Sequence, residues 1–293
     1  MRRKVFKHAG GMMAALFFAV GAAAAAQQDD LERTGGPYVP TPPIVVDQML
    51  KLANVDAKDY VIDLGSGDGV IVLTAARQFK ASGMGVDIDP KLVQYANDRA
   101  AELGVADRVS FRVMDVFKAD LSRASVVTLY LLPDMMMSLR AKLYLELKPG
   151  TRIVSHDYHF GDWRADDSIT FPVPEKEDIN GVPSATLWLW VVPARVTGRW
   201  NVSVEGGESY EVSWLQNYQD IEGKAKAGGR AVKVSDAWLK GDQVEFTTVS
   251  QSARQAYTGV VKGDRMSGTV KIGAKTARWT AVRTSPNPVV QRP

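Results

Sequence analysis

The stretch VIDLGSGDGVIVLTAA, Val61–Ala76, decides the fold of the first part of this chain. The apolar run before Gly65 is typical of a buried strand, and the apolar spacing after Gly69 is typical of a helix. The glycines between them permit a sharp turn and let a ligand approach the backbone closely. A strand, a glycine loop and a helix in this order predict a cradle for a nucleotide-type cofactor.

Around this stretch, strand and helix patterns alternate from Pro42 to Pro193. Strands that are apolar throughout and alternate with helices indicate a parallel sheet covered on both faces. Two further strands, 168–174 and 185–193, follow each other with no helix predicted between them. We therefore predict a Rossmann-like seven-stranded sheet, mostly parallel, in which the last two strands form an antiparallel edge pair.

The pattern changes after Arg195, where short strands separated by Gly and Asp turns replace the helices. Seven such strands predict a β-rich accessory domain, either a sandwich or a barrel, over residues 195–284. The predicted sheet domain covers residues 42–194, a lid segment precedes it at residues 27–41, and residues 285–293 are predicted to be a disordered tail.

The first residues are typical of a signal peptide. Arg2, Arg3, Lys4 and Lys7 precede an apolar run, Ala9–Val20, and small residues follow up to Ala26. We expect residues 1–26 to direct export, with a periplasmic location, and an uncleaved membrane anchor is the alternative. Without these four cations the net charge of +3 becomes 3 − 4 = −1, so no nucleic-acid partner is predicted.

The loop itself favours a cationic ligand over a pyrophosphate. Its glycines follow the spacing G-x-G-x-G, which differs from the G-x-G-x-x-G of dinucleotide sites. Asp63 and Asp68 repel a phosphate but suit an ammonium group. We therefore predict S-adenosylmethionine as the cofactor, because its methionine end carries an ammonium and its sulfur is a cation. The predicted contacts in the loop are Asp63, Gly65, Ser66, Gly67, Asp68 and Gly69.

Two more acidic residues follow the next two predicted strands. Asp87, with Ile88 after it, ends the second strand, where a carboxylate can accept hydrogen bonds from both ribose hydroxyls. Asp115, with Val116 after it, ends the third strand and is predicted to bind the adenine. Each acid alone is typical of a strand-end capping residue. Three acids at three successive strand ends around a glycine loop indicate a binding site.

The segment from Pro42 to Val192 resembles the class I S-adenosylmethionine-dependent methyltransferases. The motifs PYVPTPPIVVDQML, DLGSGDG, GVDIDP and LYLLP are most similar to bacterial relatives of the mitochondrial ATP synthase c-subunit lysine methyltransferase family. That family usually has an arginine after GDG, where this chain has Val70. The resemblance implies methyl transfer to a lysine amine of a protein substrate, which includes the possibility of a membrane-associated one.

Three residues are candidates for action on the methyl acceptor. Tyr38 lies in the lid segment, and His156 and Asp157 lie in SHDYHF at the end of the fifth strand. A histidine is a potential general base near neutral pH, and an aspartate is a potential partner for a substrate ammonium. Strand alternation predicts His156 and Tyr158 on one side, with Asp157 and His159 on the other. No metal site is predicted, because no third ligand has suitable spacing.

A second function class remains open at this point. An exported binding protein with a vestigial Rossmann domain would carry its function in the β-rich domain, as a ligand or partner site. The intact loop and its acids favour an enzyme, whereas export raises the question of cofactor supply. The acceptor and the oligomeric state are left undetermined.

Overall fold

The computed structural model describes residues 37–249 and 254–285. The predicted signal peptide, residues 27–36 of the predicted lid segment and residues 286–293 of the predicted tail lie outside this part of the chain. Those interpretations stay predictions.

The first part of the chain forms one seven-stranded sheet with the order β3-β2-β1-β4-β5-β7-β6. Strands β1 to β5 are parallel, and β7 pairs antiparallel with both β5 and β6. This confirms the predicted Rossmann-like sheet with its antiparallel edge pair. The strands are β1 (Tyr60–Leu64), β2 (Ser82–Asp87), β3 (Val109–Val113), β4 (Val126–Leu129), β5 (Arg152–His156), β6 (Asp167–Pro172) and β7 (Ser184–Val191).

Helices connect these strands, and three of them begin at a proline, whose fixed φ suits the first helical position. They are α1 (Pro43–Leu52), α2 (Val70–Gln78), α3 (Pro90–Glu102), α4 (Pro133–Glu146) and the single turn α5 (Glu177–Asn180). The prediction of no helix between β6 and β7 is wrong, because a 3₁₀ turn, Pro174–Lys176, and α5 lie there. Among the described helices, none combines the length and the apolar character that crossing a membrane requires.

The second part of the chain is a closed antiparallel barrel of eight strands, so of the two predicted forms the barrel is correct. The strands are β8 (Gly198–Val204), β9 (Tyr210–Asn217), β10 (Asp220–Ala227), β11 (Arg230–Lys240), β12 (Gln243–Val249), β13 (Arg254–Lys262), β14 (Arg265–Ile272) and β15 (Lys275–Arg283). The sequence pattern missed β10, DIEGKAKA, because only Ile221 and Ala225 of this strand are buried.

Aromatic side chains fill the interior of the barrel. Phe246 stacks on Tyr257 with ring centroids 4.4 Å apart, and Trp279 contacts both rings edge-on at 5.6 Å. Trp214 also packs edge-on against Phe246, with ring centroids 5.2 Å apart. These rings form the hydrophobic core of a small barrel.

The barrel contacts the sheet domain through its strand turns. Tyr218, between β9 and β10, stacks on Trp163 with centroids 4.9 Å apart. Gly241, between β11 and β12, accepts a hydrogen bond from Ala194 N at 2.7 Å and approaches Gly150, just before β5. Gly150 precedes β5, so this contact lies at the edge of the sheet opposite to the glycine loop. The sheet ends at Val191 and the barrel begins at Gly198, and the predicted domain limits stay a prediction.

Candidate active site

The glycine loop after β1 has a backbone that only glycine adopts easily. Gly65, Gly67 and Gly69 have φ values of 83°, 51° and 82°. A Cβ atom would lie 2.6 Å from Leu131 at Gly65 and 2.5 Å from the Tyr38 ring at Gly67. The amides of Gly65 and Ser66 both donate to Val86 O at 2.9 Å, which fixes the loop to the end of β2. The sequence therefore builds a tight cradle without side chains on its glycines.

Asp63 lies inside β1, directly below this loop. It is 2% exposed, and its Oδ1 accepts a hydrogen bond from Thr128 Oγ1 at 2.7 Å. Burial raises the pKa of Asp63 to about 7; the bond from Thr128 lowers it, while Asp87 and Asp68 add to the rise. The carboxylates of Asp87 and Asp68, with the buried carboxyl group of Asp63 beneath them, therefore make this end of the sheet a site for a cation.

Asp87 and Asp68 hold the loop through its backbone. Asp87 accepts hydrogen bonds from Gly67 N at 2.8 Å and from Asp89 N at 2.9 Å. Asp68 accepts one from Val70 N at 3.1 Å, at the start of α2. A carboxylate has about four lone-pair positions, so these oxygens keep capacity for hydroxyl or ammonium donors.

Tyr38 covers the loop from the lid segment. Its ring lies against Gly67, and its hydroxyl is hydrogen-bonded to Asp68. Burial, and then the charge of Asp68, raise the pKa of this hydroxyl above its ordinary value, so it remains a donor at physiological pH. The structure thus brings Tyr38 to the predicted cofactor residues, as a lid requires.

The remaining predicted contacts lie at the ends of β2 and β3. Ile88 is half-buried directly after Asp87. Asp115 accepts a hydrogen bond from Phe117 N at 2.9 Å and begins the 3₁₀ turn Val116–Lys118. The side chain of Val116 belongs to the hydrophobic core and is 6% exposed. Because β3, β2 and β1 are parallel neighbours, their three acidic residues lie close together at the carboxyl ends of the strands.

The side chain of Ser66 lies against β2. Its Oγ is buried, has no hydrogen-bond partner in the part of the chain that the structure describes, and would lie 2.6 Å from a Cβ atom at Gly85. The glycine cradle and the surrounding carboxylates are the features that fit S-adenosylmethionine, because carboxylates suit its ammonium and its ribose hydroxyls.

The end of β5 lies across the sheet from Asp87, and it departs from the predicted alternation. The strand ends at His156, and Asp157 has a left-handed backbone with φ 63°. The His156 ring centroid lies 4.0 Å from that of Tyr130, and the Tyr158 ring is stacked on Tyr130 with centroids 6.4 Å apart. The predicted separation of Asp157 from His156 is wrong, because the turned backbone brings Asp157 Oδ2 within 3.5 Å of His156 Nε2.

Two residues at this edge were missed by sequence reasoning. Tyr130 follows β4 in the motif LYLLP and lies next to Leu131, which contacts Gly65. Lys176 is fully buried, and its Nζ contacts His156 Nε2 at 3.2 Å and Asp157 Oδ2 at 2.5 Å. The motif LYLLP was a usable signal for Tyr130, but the charged run EKED around Lys176 indicates a solvated surface.

No metal site emerges from this arrangement. Over residues 37–249 and 254–285, no group of three or more His, Cys, Asp or Glu side chains is placed to hold a metal ion.

Comparison with known proteins shows the family to which this chain belongs. Residues 63–167 match the sequence profile of the ANTKMT methyltransferase domain. A protein-lysine N-methyltransferase from Saccharolobus islandicus is 40% identical over 157 residues, which are 53% of this chain and 93% of that protein. The chain belongs to the same methyltransferase family as this relative. Its methyl donor is S-adenosylmethionine, and the predicted S-adenosylmethionine-dependent methyltransferase is thereby confirmed.

Other relatives match the methyltransferase over shorter shares of their length. The ATP synthase c-subunit lysine N-methyltransferase of Xenopus laevis is 37% identical over 131 residues, 44% of this chain and 57% of that protein. The chain thus spans little more than half of that relative. A crystal structure described as an RNA methyltransferase from Salinibacter ruber with S-adenosyl-L-homocysteine is 49% identical, with a TM-score of 0.48, and covers 54% of this chain and 96% of that one.

The comparisons match the domain as a whole, and the roles of individual residues stay predictions. This holds for the cofactor contacts around the loop and for the acceptor residues Tyr38, His156 and Asp157.

Proposed function

We propose that this methyltransferase transfers the methyl group to a lysine amine of a protein. The observation that carries the proposal is the stack of Tyr130, His156 and Tyr158 at the ends of β4 and β5. It lies next to the glycine loop, since Leu131 after Tyr130 packs against Gly65. The names of the archaeal and animal relatives, which are lysine N-methyltransferases, support the same acceptor.

A lysine side chain fits such a wall for two physical reasons. Its aliphatic stem packs against aromatic surface, and its ammonium is attracted to the faces of tyrosine rings. The sheet domain is also acidic, since residues 37–194 contain 16 Lys and Arg against 21 Asp and Glu, a net charge of −5. A domain with a net negative charge attracts a cationic side chain before that side chain loses its proton.

Methyl transfer to an amine requires the protein to align the acceptor, exclude water and favour the neutral form of the amine. S-adenosylmethionine supplies an activated methyl group when bound. A lysine has an ordinary pKa of about 10.4, and an apolar surrounding lowers it because burial disfavours the charged form. The aromatic wall supplies that surrounding, and alignment of the reacting atoms supplies much of the remaining acceleration.

The test is a transfer assay with labelled S-adenosylmethionine. Purified protein is incubated with cytosolic and cell-envelope fractions, and each product is divided between protease and nuclease treatment. We expect a labelled band that protease removes and that yields methyl-lysine on hydrolysis. A band that only nuclease removes would identify RNA as the acceptor and overturn the proposal. The variant Asp87→Ala is the control for labelling that depends on this site.

We further propose that the protein is exported, with the envelope as the place of its acceptor. The proposal is supported by the cations Arg2, Arg3, Lys4 and Lys7, the apolar run Ala9–Val20 and the alanines before Gln27. A reporter active only outside the cytosol is fused after residue 40 and compared with a fusion that lacks residues 2–26. Activity of both fusions, or of neither, would contradict export by this segment.

A further inference from the structure

We call the rings of Tyr130 and Tyr158, with His156 packed against Tyr130, the acceptor wall. A buried lysine lies behind this wall, outside the residues that match the family profile. The side chain of Lys176 is 2% exposed and ends the 3₁₀ turn between β6 and β7. Its ammonium contacts three groups: Asp157 Oδ2 at 2.5 Å, Ser184 O at 2.7 Å and His156 Nε2 at 3.2 Å. An ammonium has three donors, so each one has a partner. A buried charge needs such complete pairing to be retained.

Asp157 is tied to β7 as well as to Lys176. Its backbone amide donates to Thr186 O at 2.7 Å, and its Oδ1 accepts from Thr186 N at 3.1 Å. Its carbonyl accepts from Trp188 Nε1 at 3.3 Å. These bonds hold its left-handed backbone, which is a strained conformation for a residue other than glycine. The carboxylate is therefore committed to Lys176 and β7 and is not free to bind a substrate ammonium.

The same ammonium fixes the protonation of His156. An ammonium only donates, so His156 Nε2 must accept, and the proton of a neutral imidazole must then reside on Nδ1. His156 Nδ1 is buried and has no partner among the described residues. Burial lowers the pKa of His156; Asp157 opposes this effect and Lys176 reinforces it. In this arrangement the imidazole offers no free lone pair to a substrate.

The imidazole in turn sets the position of the tyrosine rings. It packs against Tyr130 at 4.0 Å, with an angle of 33° between the planes. The chain turns back directly after it, since Tyr158 N donates to His156 O at 2.8 Å and Ser155 Oγ donates to Tyr158 O. A shift of His156 would therefore move both rings of the acceptor wall.

We propose that Lys176 is a positioning residue of this methyltransferase, a buried cation that fixes Asp157 and His156 and through them the wall formed by Tyr130 and Tyr158. His156 and Asp157 then act as structural supports of the acceptor site. The description of this wall as a lysine site rests on the proposed function, but the positioning by Lys176 does not depend on the acceptor's identity.

The first test reads the imidazole directly and needs no acceptor. The full chain has three histidines, His8, His156 and His159, so nitrogen-detected NMR of the imidazoles is simple to assign with His8→Asn and His159→Asn variants. We expect His156 as the neutral tautomer with its proton on Nδ1. In Lys176→Met we expect that signal to change to the other tautomer or to the imidazolium, because Asp157 loses its partner. An unchanged His156 signal would overturn the proposal.

The second test separates positioning from stability with a second ion pair, which lies at the start of β5. Arg152 begins β5, pairs with Asp59 and donates to Ala53 O at 2.7 Å, far from the acceptor wall at the other end. Lys176→Met should lower kcat on the order of a hundredfold, the loss expected from misalignment by about an ångström. It should leave the Kd of S-adenosylmethionine unchanged, whereas Arg152→Met should lose stability but keep kcat.

The outcomes of these tests distinguish the two proposals. If Lys176→Met keeps kcat, or if both variants lose kcat in proportion to their stability, the positioning role is wrong. The assay uses whichever acceptor the labelling experiment identifies. If the acceptor is RNA and the His156 signal changes in Lys176→Met, only the proposal of a lysine acceptor is therefore overturned.

Discussion

The interior of the barrel and the glycine loop of the sheet domain use glycine for different purposes. In the barrel, Gly223 and Gly259 have no side chain because the rings of Trp214 and Trp279 occupy that space, each 2.5 Å from where a Cβ atom would lie. The loop glycines also have side chains packed against them, but Gly65, Gly67 and Gly69 in addition adopt positive φ values. Glycine makes room for packing in both regions, and in the loop it also permits the sharp turn of the predicted cofactor site.

Buried polar groups are satisfied to different degrees in both regions. Trp279 Nε1 donates to Thr258 O at 3.0 Å and to Thr269 O at 3.1 Å, so the indole is satisfied within the barrel. Thr248 Oγ1 in the barrel is buried without a described partner, and so are Ser66 Oγ and His156 Nδ1 in the sheet domain. Proteins tolerate such departures from ideal packing at functional sites and compensate for them elsewhere. We therefore expect truncations in the barrel to lower stability, and substitutions around the glycine loop to change ligand binding and the pH dependence of stability.

The largest expected effect concerns the barrel. Trp279→Ala removes a side chain that is 1% exposed and packs on Phe246 and Tyr257. We expect the free energy of unfolding to fall by about 3–5 kcal/mol, as for other buried aromatic truncations. Urea unfolding measures this loss, and Trp238→Ala is the control because Trp238 is 45% exposed. A large loss of S-adenosylmethionine affinity in folded Trp279→Ala would break the comparison.

The next effect is a pH dependence at the sheet edge. Because the pKa of Asp63 is about 7 in the folded protein and 3.8 is its ordinary value, the folded state keeps a proton that the unfolded chain has lost. Below about pH 3.8 the Asp63 carboxyl is protonated in both states and does not affect stability. As the pH rises from 3.8 to about 7, the free energy of unfolding falls. Relative to Asp63→Asn, the loss should approach about 1.4 kcal/mol per pH unit at most.

This dependence is measured by urea unfolding of the wild-type protein and Asp63→Asn at several values between pH 4 and pH 7. The variant should become the more stable of the two as the pH rises. A constant difference across this range would show that the buried carboxyl does not retain its proton and would remove one contrast between the two regions.

A binding effect of intermediate size is expected at Asp87. We expect Asp87→Ala to weaken S-adenosylmethionine binding by about 1.5–3 kcal/mol, the range for hydrogen bonds to charged groups. Calorimetry measures the change. Asp89→Ala is the matched control, because Asp89 caps α3 through Lys91 N and Leu92 N, so its loss should affect stability and leave affinity unchanged. Equal losses of affinity in both variants would show that the loop fold, and not a ligand contact, is affected.

The sequence alone predicted the parts of the structure that follow from local pattern. Apolar runs and glycine punctuation determine the parallel strands, and parallel strands bring Asp63, Asp87 and Asp115 to one edge of the sheet. The barrel followed from short strands and turn residues, except for β10, whose Gly223 and lysines hide its alternation. These features depend on neighbours along the chain or on the general rules of sheets.

The acceptor wall did not follow from local pattern because it depends on contacts between distant segments. Lys176 is buried only because β6 and β7 fold back beside β5, and no property of PEKEDIN indicates that. Asp157 leaves the strand geometry because its bonds to Thr186 hold a left-handed backbone. The alternation rule failed at the first residue beyond β5, where tertiary hydrogen bonds replace the ladder.

The smallest expected effect tests the lid. Tyr38→Phe keeps the ring on Gly67 but removes the hydroxyl that is bonded to Asp68. We expect a loss of about 0.5–1.5 kcal/mol in S-adenosylmethionine affinity, the usual contribution of one hydrogen bond. Calorimetry measures it, with Tyr210→Phe in the barrel as control, because this change also removes a hydroxyl that donates one hydrogen bond, to Gln255 Oε1 at 3.0 Å. An unchanged affinity would mean that Tyr38 only packs on the loop. A larger loss in kcat than in affinity would place its hydroxyl at the acceptor, as the lid segment's position over the loop allows.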